Sequence, residues 1–157
     1  MRFIKRIRYA IYTLALLLFV SACSQEPVEI HYASDECAHC KMMITDDQFA
    51  SQIVTDKGKA LKFDAIECMA VYHRENKNEL ENARLWVSNY NEPGAWLDAF
   101  EAQYVKSEVV KSPMGESLLA LPDKEIAEEH VNERPGRLLL WDQVSQTEMK
   151  MGMGMRK

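Results

Sequence analysis

The sequence predicts an α+β fold in which two halves each combine short strands with a helix. Of the 157 residues, 47% are hydrophobic and 27% are charged, which is the balance of a globular protein. Short apolar runs are separated by turn residues, and two longer segments with helical spacing each begin at an aspartate. These observations favour a single folded domain behind an N-terminal signal.

The N-terminus has the pattern of an export signal. Four cations precede the apolar run 9–20, which is shorter than the ~20 residues that a membrane-spanning helix needs. The run closes on Val20-Ser21-Ala22-Cys23, which has the form of a bacterial lipobox. We therefore expect Cys23 to become the lipidated first residue of the mature protein. The alternative is an ordinary cleavage site with an incidental cysteine.

The expected organisation of the chain follows from that cysteine. Acyl chains contribute ~0.8 kcal/mol per buried CH₂, so they would anchor the body at the periplasmic face of a membrane. Ser24 favours the outer membrane. We expect a signal peptide at 1–22, a lipidated tether at 23–27, a folded domain at 28–148 and a flexible methionine-rich tail at 149–157. The chain carries 24 acidic and 19 basic side chains, four of the basic ones in the signal, so nucleic acid is a poor partner.

The first elements of the folded domain are predicted as strands. Residues 28–32 alternate apolar and polar side chains, as in a half-buried strand. Two β-like runs, 48–55 and 59–63, are separated by Asp56-Lys57-Gly58, in which Gly58 can take a positive φ. This pattern predicts a hairpin.

A helix is predicted next, from Asp64 to about Asn76. Asp64 and Glu67 have the spacing of a capping box. Helical spacing places Met69 beside Ile66 on the core-facing side, so packing is its expected role ahead of metal binding. The role of Cys68 stays open at this stage.

The second half of the domain repeats the mixture of elements. Residues 84–90 predict a strand, 91–94 a turn, 96–102 a short helical stretch and 104–110 another strand, and Pro113 makes residues 112–115 irregular. The run at 118–121 is ambiguous.

The domain is expected to end on a helix and a strand. Asp123 is a plausible cap for a helix to about Asn132, Arg134-Pro135-Gly136 stops it, and residues 138–141 predict the last strand.

The candidate chemistry of the chain is that of sulfur. Residues 37–43 hold two thiols, an imidazole and two thioethers. Thiolate and thioether ligands select Cu(I), whereas zinc gains little from a methionine. The two-residue gap lets Cys37 and Cys40 face one ion, and Met42 is near enough in sequence to complete a site of low coordination number. These residues therefore predict a Cu(I) site.

Three other interpretations compete with copper. A structural zinc site needs a second Cys/His pair, for which the chain offers Cys68 and scattered histidines. A thiol redox pair favours positive surroundings, but Asp35 and Glu36 precede Cys37 and should raise its pKa. A plain disulfide between Cys37 and Cys40 leaves Met42 without a role.

Several motifs together resemble one family. In chain order they are the lipobox, Cys37-x2-Cys40-x-Met42, Lys62-Phe63-Asp64 leading to Cys68-Met69, Trp96, and Ser112-Pro113-Met114-Gly115. This series, over residues 20–121, resembles the NosL family of lipoproteins. Cys40 and Met42 match the family's Cys-x-Met pair, and Met114 matches its Met-Gly motif. Cys37 belongs to the pattern of a subset.

The resemblance implies a function and a fold. It implies a periplasm-facing chaperone that delivers Cu(I) for the copper–sulfide centre of nitrous oxide reductase, beside an ABC-type membrane complex. It also implies a small α+β body of two related halves, similar to a domain of organomercurial lyases. The expected partners are the reductase or its maturation complex, together with the membrane that holds the lipid anchor.

We therefore predict a non-enzymatic Cu(I) carrier that works by ligand exchange. The candidate metal ligands are Cys40, Met42, Cys37, Met114, Met69 and Cys68. The rival classes are a membrane-tethered thiol–disulfide oxidoreductase that uses Cys37 and Cys40, and a lipoprotein stabilised by structural zinc. The methionines discriminate between them, because only a copper site should suffer from the loss of Met42 and Met114.

Overall fold

The structure, a computed structural model, describes residues 24–146 and has two antiparallel sheets and three helices in this range. The first sheet has the order β2-β1-β3-β4 and the second β6-β5-β7. The strands are β1 (Ser51–Val54), β2 (Ala60–Phe63), β3 (Arg84–Ser88), β4 (Trp96–Asp98), β5 (Gln103–Ser107), β6 (Leu118–Leu121) and β7 (Gly136–Leu139). The helices are α1 (Ile66–Glu75), α2 (Lys124–Glu133) and α3 (Trp141–Ser145). The predicted α+β class is confirmed.

The predicted hairpin is present and forms one side of the first sheet. In β1 and β2, Val54 pairs with Ala60 and Ser51 pairs with Phe63. Gly58 has a φ of 77°, a left-handed value that costs glycine little. The turn therefore lies at one end of the sheet, and the residue that follows Phe63 lies at the other.

Helix α1 begins at Ile66, but the predicted capping box is wrong. Ala65 is the N-cap, and within the described chain no side chain caps it. Asp64 and Glu67 are both buried and accept hydrogen bonds from residues distant in sequence instead. The local pattern therefore predicted the helix correctly. Both carboxylates form tertiary hydrogen bonds instead of capping it.

Two predicted elements have the wrong type. Residues 28–32 are not a strand, because the side chain of Gln52 takes the place of a neighbouring strand: it accepts from the Val28 N–H at 2.9 Å and donates to the Val28 carbonyl at 3.0 Å. Residues 96–98 form strand β4 rather than a helical stretch, because they pair with the open edge of β3, with Val87 opposite Leu97. A segment this short has no reliable period of its own.

The second sheet carries the remaining elements. Asp123 caps α2 by accepting from the Ile126 N–H at 2.9 Å, as predicted. The last strand ends at Leu139, and Trp141 begins the short helix α3 instead of closing the strand. Trp141 is 8% exposed and packs beside Tyr104, so the burial of one large ring fixes this helix.

One apolar cluster joins both halves of the domain. It contains Phe63 and Met69 from the first half, Tyr104 and Leu118 from the second, and the two buried thiols described below. None of the helices within residues 24–146 is long and apolar enough to span a membrane. The predicted signal, Cys23 and the methionine-rich tail from Met149 lie outside the described residues.

Candidate metal centre

Three thiols and one carboxylate converge between the N-terminal loop and α1. One ligand atom from each of Cys37, Cys40, Asp64 and Cys68 lies within 4.8 Å of every other. Cys37 and Cys68 are fully buried, and Cys40 is partly exposed. Residues from the loop, from the end of β2 and from the first turn of α1 therefore form one pocket of ligands that opens at Cys40.

A tight turn brings the two loop cysteines together. The Cys37 N–H donates to the Met42 carbonyl at 2.8 Å, and the Lys41 N–H donates to the Cys37 carbonyl at 3.1 Å. Lys41 takes a φ of 65°, which is unfavourable for a residue with a Cβ and is held here by the surrounding hydrogen bonds. Its ammonium group also donates to the Ala38 carbonyl.

The same loop is fastened to the end of β2. The Ala38 N–H donates to the Lys62 carbonyl at 2.7 Å, and the Lys62 ammonium lies 2.6 Å from the Asp35 carboxylate. The Lys62 bond holds the pKa of Asp35 below its usual value. Lys62 thus fixes the loop beside Asp64, two residues further along the chain.

Asp64 is the member of the cluster that the sequence analysis missed as a ligand. The Cys40 thiol donates to Asp64 Oδ1 at 3.5 Å, while Oδ2 is buried and, among the described residues, has no hydrogen-bond partner. A buried carboxylate oxygen without a partner is costly unless a cation or proton satisfies it. The short interval from Asp64 to Cys68 was a signal for their proximity, because Asp64 lies just before the predicted helix and Cys68 lies in its first turn.

The three thiols have different proton affinities. A hydrogen bond from Cys68 lowers the pKa of Cys37 to about 7, and the same bond raises the pKa of Cys68. Burial raises the pKa of Cys40 to about 12. The expectation that Asp35 and Glu36 raise the pKa of Cys37 is therefore wrong, since Lys62 pairs with Asp35 and Cys68 supports the Cys37 thiolate.

The three predicted thioether ligands differ in how deeply they are buried. Met42 is 48% exposed on the loop, and Met114 is partly buried against the core. Met69 is fully buried in the core, as expected for a packing residue. The ligand roles of these three methionines stay predictions.

A buried carboxylate joins the Met114 loop to the helix that carries Cys68. Glu67 Oε1 accepts from the Ser112 hydroxyl and, at 3.2 Å, from the Glu116 N–H. The Ser117 N–H in turn donates to the Ser112 hydroxyl at 3.0 Å. Because Glu67 precedes Cys68, this contact links the second half of the domain to the metal centre of the first.

His39, the imidazole between the loop cysteines, lies outside the four-residue cluster. Its ring meets the edge of Tyr72 with centroids 6.4 Å apart, and its Nδ1 is 4.0 Å from the Glu75 carboxylate. His73 packs between Phe100 and Trp141, where burial lowers its pKa. The geometry thus favours sulfur, rather than imidazole, around the centre.

Comparisons with known proteins identify the family of this chain. The model of the NosL family matches residues 27–149. The chain belongs to the NosL family. A copper-binding lipoprotein NosL from Stutzerimonas stutzeri is 30% identical over 140 residues, which cover 85% of this chain and 73% of that protein. The predicted resemblance to this family is thereby confirmed.

A solved structure has the same fold. It is the crystal structure of the copper chaperone NosL from Shewanella denitrificans, which matches with a TM-score of 0.67 and 18% identity over 80% of this chain and 99% of that chain. At this identity the match supports the two-sheet architecture of the NosL family.

Proposed function

We propose that this protein is a lipid-anchored Cu(I) carrier whose metal is held by the thiolates of Cys37, Cys40 and Cys68. The observation that carries the proposal is their convergence, with Asp64, within 4.8 Å. None of the three forms a disulfide within residues 24–146, so all three sulfurs can act as donors. Relatives named as a copper-binding lipoprotein and a copper chaperone support copper as the cargo.

The burial of the ligands supports a carrier rather than a storage site. Cys37 and Cys68 hold the metal from inside, whereas Cys40 lies at the surface next to the exposed Met42. A low-coordinate Cu(I) ion is open to an incoming sulfur or imidazole on that side. Transfer would proceed by ligand exchange: the bond from Cu(I) to the Cys40 sulfur breaks as a bond to the acceptor's sulfur or nitrogen forms, and the copper stays Cu(I) throughout.

Of the rival classes, the thiol oxidoreductase fits the geometry less well than a metal carrier does. A thiol oxidoreductase needs an accessible attacking thiolate, but the most acidic thiol, Cys37, is fully buried. A structural zinc site could use three thiolates with the Asp64 carboxylate, so zinc is the alternative that the experiment must address.

The decisive experiment is a metal competition titration of the reduced protein. We expect one tight equivalent of Cu(I) against a competing chelator, with X-ray absorption showing sulfur neighbours at a coordination number of two or three. Zn(II) should be displaced by Cu(I). A four-coordinate zinc environment that resists Cu(I) would contradict the proposal.

Met42 should help to retain Cu(I), and its neighbour provides a matched control. Met42→Ile removes a thioether at nearly constant volume beside Cys40, so we expect faster loss of Cu(I) to a chelator and a clear decrease in affinity. Met43 is 52% exposed and adjacent, so Met43→Ile should leave both quantities unchanged. Equal behaviour of the two variants would assign Met42 no role at the metal. Stopped-flow transfer to a chelator measures the difference.

The anchor and the acceptor complete the proposed function. The lipobox supports a lipid on Cys23, and the Ser24 that follows supports the outer membrane. The family motifs support nitrous oxide reductase, or its ABC-type maturation complex, as the recipient of copper. The acceptor's ligands would approach the Cys40 side of the centre, where the metal is least covered.

Loss of the anchor should leave the body intact. Cys23→Ala is expected to move the protein from the membrane to the soluble fraction, with no acyl mass and unchanged thermal unfolding, because Cys23 lies before the folded residues. Mass spectrometry and membrane fractionation measure these outcomes. Acyl mass on the Cys23→Ala protein would show that another residue carries the lipid.

A further inference from the structure

The segment that follows the expected lipid site is fixed to the folded domain. The Gln25 side-chain amide donates to the carbonyls of Asn82 at 2.7 Å and Val54 at 3.3 Å. The Gln25 carbonyl accepts from the Trp86 indole N–H at 2.8 Å. Three hydrogen bonds thus hold a residue that lies two positions after Cys23.

The segment continues along the outer face of the first sheet. Val28 forms both of its backbone hydrogen bonds with the Gln52 side chain. Glu26 lies 4.0 Å from Arg84, whose guanidinium is 4.4 Å above the Trp86 ring. The residues after the expected lipid site are therefore packed on the sheet, so only a short segment can act as a flexible tether between the lipid and the domain.

This attachment fixes the distance between the lipid and the domain. Consecutive residues extend the chain by at most ~3.6 Å each, and only Ser24 separates Cys23 from Gln25. Gln25 must therefore remain within about 10 Å of the lipid. This distance is less than the width of the first sheet, whose four strands are spaced ~4.8 Å apart.

We propose that residues 55–59 and 77–82, the membrane-facing end of the domain, lie against the lipid headgroups and that the metal centre faces away from the bilayer. The proposal rests on the lipidation of Cys23 given above. Gln25 bonds to Val54, which precedes the first segment, and to Asn82, which ends the second, so this end is the part of the domain nearest to the acyl chains.

The strand register places the metal centre at the opposite end. Val54 pairs with Ala60 beside the hairpin turn, and Ser51 pairs with Phe63, which precedes Asp64. The four steps from Ala60 to Asp64 extend about 13 Å along the strand direction. With Gln25 at the bilayer, Cys40 and Met42 point toward the periplasmic space, where an acceptor can reach them.

The chemistry of the membrane-facing end fits headgroups rather than hydrocarbon. Its exposed charged side chains carry both signs in equal number, and they are Asp56, Glu79, Glu81, Lys57, Lys59 and Lys77. Within the described range, the large apolar side chains that are exposed lie outside 55–59 and 77–82. Such a surface suits a zwitterionic headgroup layer, with the acyl chains of Cys23 alone entering the bilayer.

Hydrogen exchange of the complete lipoprotein tests this orientation. The lipidated protein is measured in vesicles of phosphatidylethanolamine with a minor share of phosphatidylglycerol, and the Cys23→Ala protein is measured in solution. We expect exchange to be several-fold slower at 55–59 and 77–82 in vesicles and unchanged at 37–43. The matched control inserts a Gly-Ser spacer between Ser24 and Gln25, which should keep the lipid and the fold and remove the protection.

The outcomes separate this inference from the proposed function. Equal exchange in vesicles and in solution, or protection centred on 37–43, would overturn the orientation while the lipid is present by mass. A spacer variant with undiminished protection would also overturn it. Absence of lipid from Cys23 would overturn the anchor and with it the orientation, whereas Cu(I) binding by the Cys23→Ala protein tests the copper function on its own.

Discussion

Cys40→Ser is expected to lower Cu(I) affinity by more than about 100-fold, since even the loss of an outer-shell partner costs ~10–100-fold. Serine has nearly the same size as cysteine, but its neutral hydroxyl is a hard and weak ligand for Cu(I). Cys40 is partly exposed, so the substitution should leave the unfolding temperature nearly unchanged. Competition titration with a Cu(I) chelator measures the affinity, and thermal unfolding of the apo protein provides the control.

The companion substitution Cys68→Ser tests whether three thiolates act together. Cys68 is fully buried beside Cys37, so a three-thiolate site predicts a loss of affinity comparable to that of Cys40→Ser. If Cys68→Ser retains full affinity, Cys37 and Cys40 are the only thiolate ligands of the three. Cys68 then stabilises the Cys37 thiolate through its hydrogen bond. If Cys40→Ser itself retains full affinity, the proposed centre is wrong.

The sequence could predict that Cys37 and Cys40 lie together, but not that Cys68 joins them. The spacing of Cys37 and Cys40 was sufficient to predict that two sulfurs lie together, because only two residues separate them. The approach of Cys68 depends on the pairing of β1 with β2 and on the docking of α1, which connect residues about 30 positions apart. No local pattern contains that information.

The two carboxylates at the start of α1 show the same limit. Asp64 and Glu67 have the spacing of a capping box, and a helix does begin there. Their side chains bond instead with Cys40 and Ser112, because the folded domain brings these distant residues within hydrogen-bond distance of the buried carboxylates. The pattern therefore identified the element correctly and the role of its residues incorrectly, which is typical of residues at functional sites.

Glu67→Ala is expected to destabilise the domain by about 3 kcal/mol, because it leaves buried donors without an acceptor and opens a cavity. The Ser112 hydroxyl and the Glu116 N–H both lose their acceptor. The loop that carries Met114 then loses its bond to α1, so we also expect weaker Cu(I) binding if Met114 contributes to the site. Urea unfolding of the apo protein measures the stability.

Glu67→Gln separates the hydrogen bonds of this residue from its charge. Glutamine keeps an acceptor for Ser112, whereas the native carboxylate has its Oε2 buried and, in the described chain, without a hydrogen-bond partner. Burial raises the pKa of Glu67, so ionisation is less favourable in the folded protein than in the unfolded chain. The native protein should therefore lose stability as the pH rises from about 4.5, the ordinary value, through the raised pKa.

Glu67→Gln, which cannot ionise, should lack this loss of stability. Its advantage over the native protein should be largest near neutral pH and should vanish below about pH 4, where both side chains are neutral. Unfolding free energies measured across this range decide the point. The opposite result would be a native protein that gains stability over Glu67→Gln as the pH rises. It would show that the folded protein favours the ionised carboxylate, because the hydrogen bonds from Ser112 and Glu116 stabilise the charge by more than burial destabilises it.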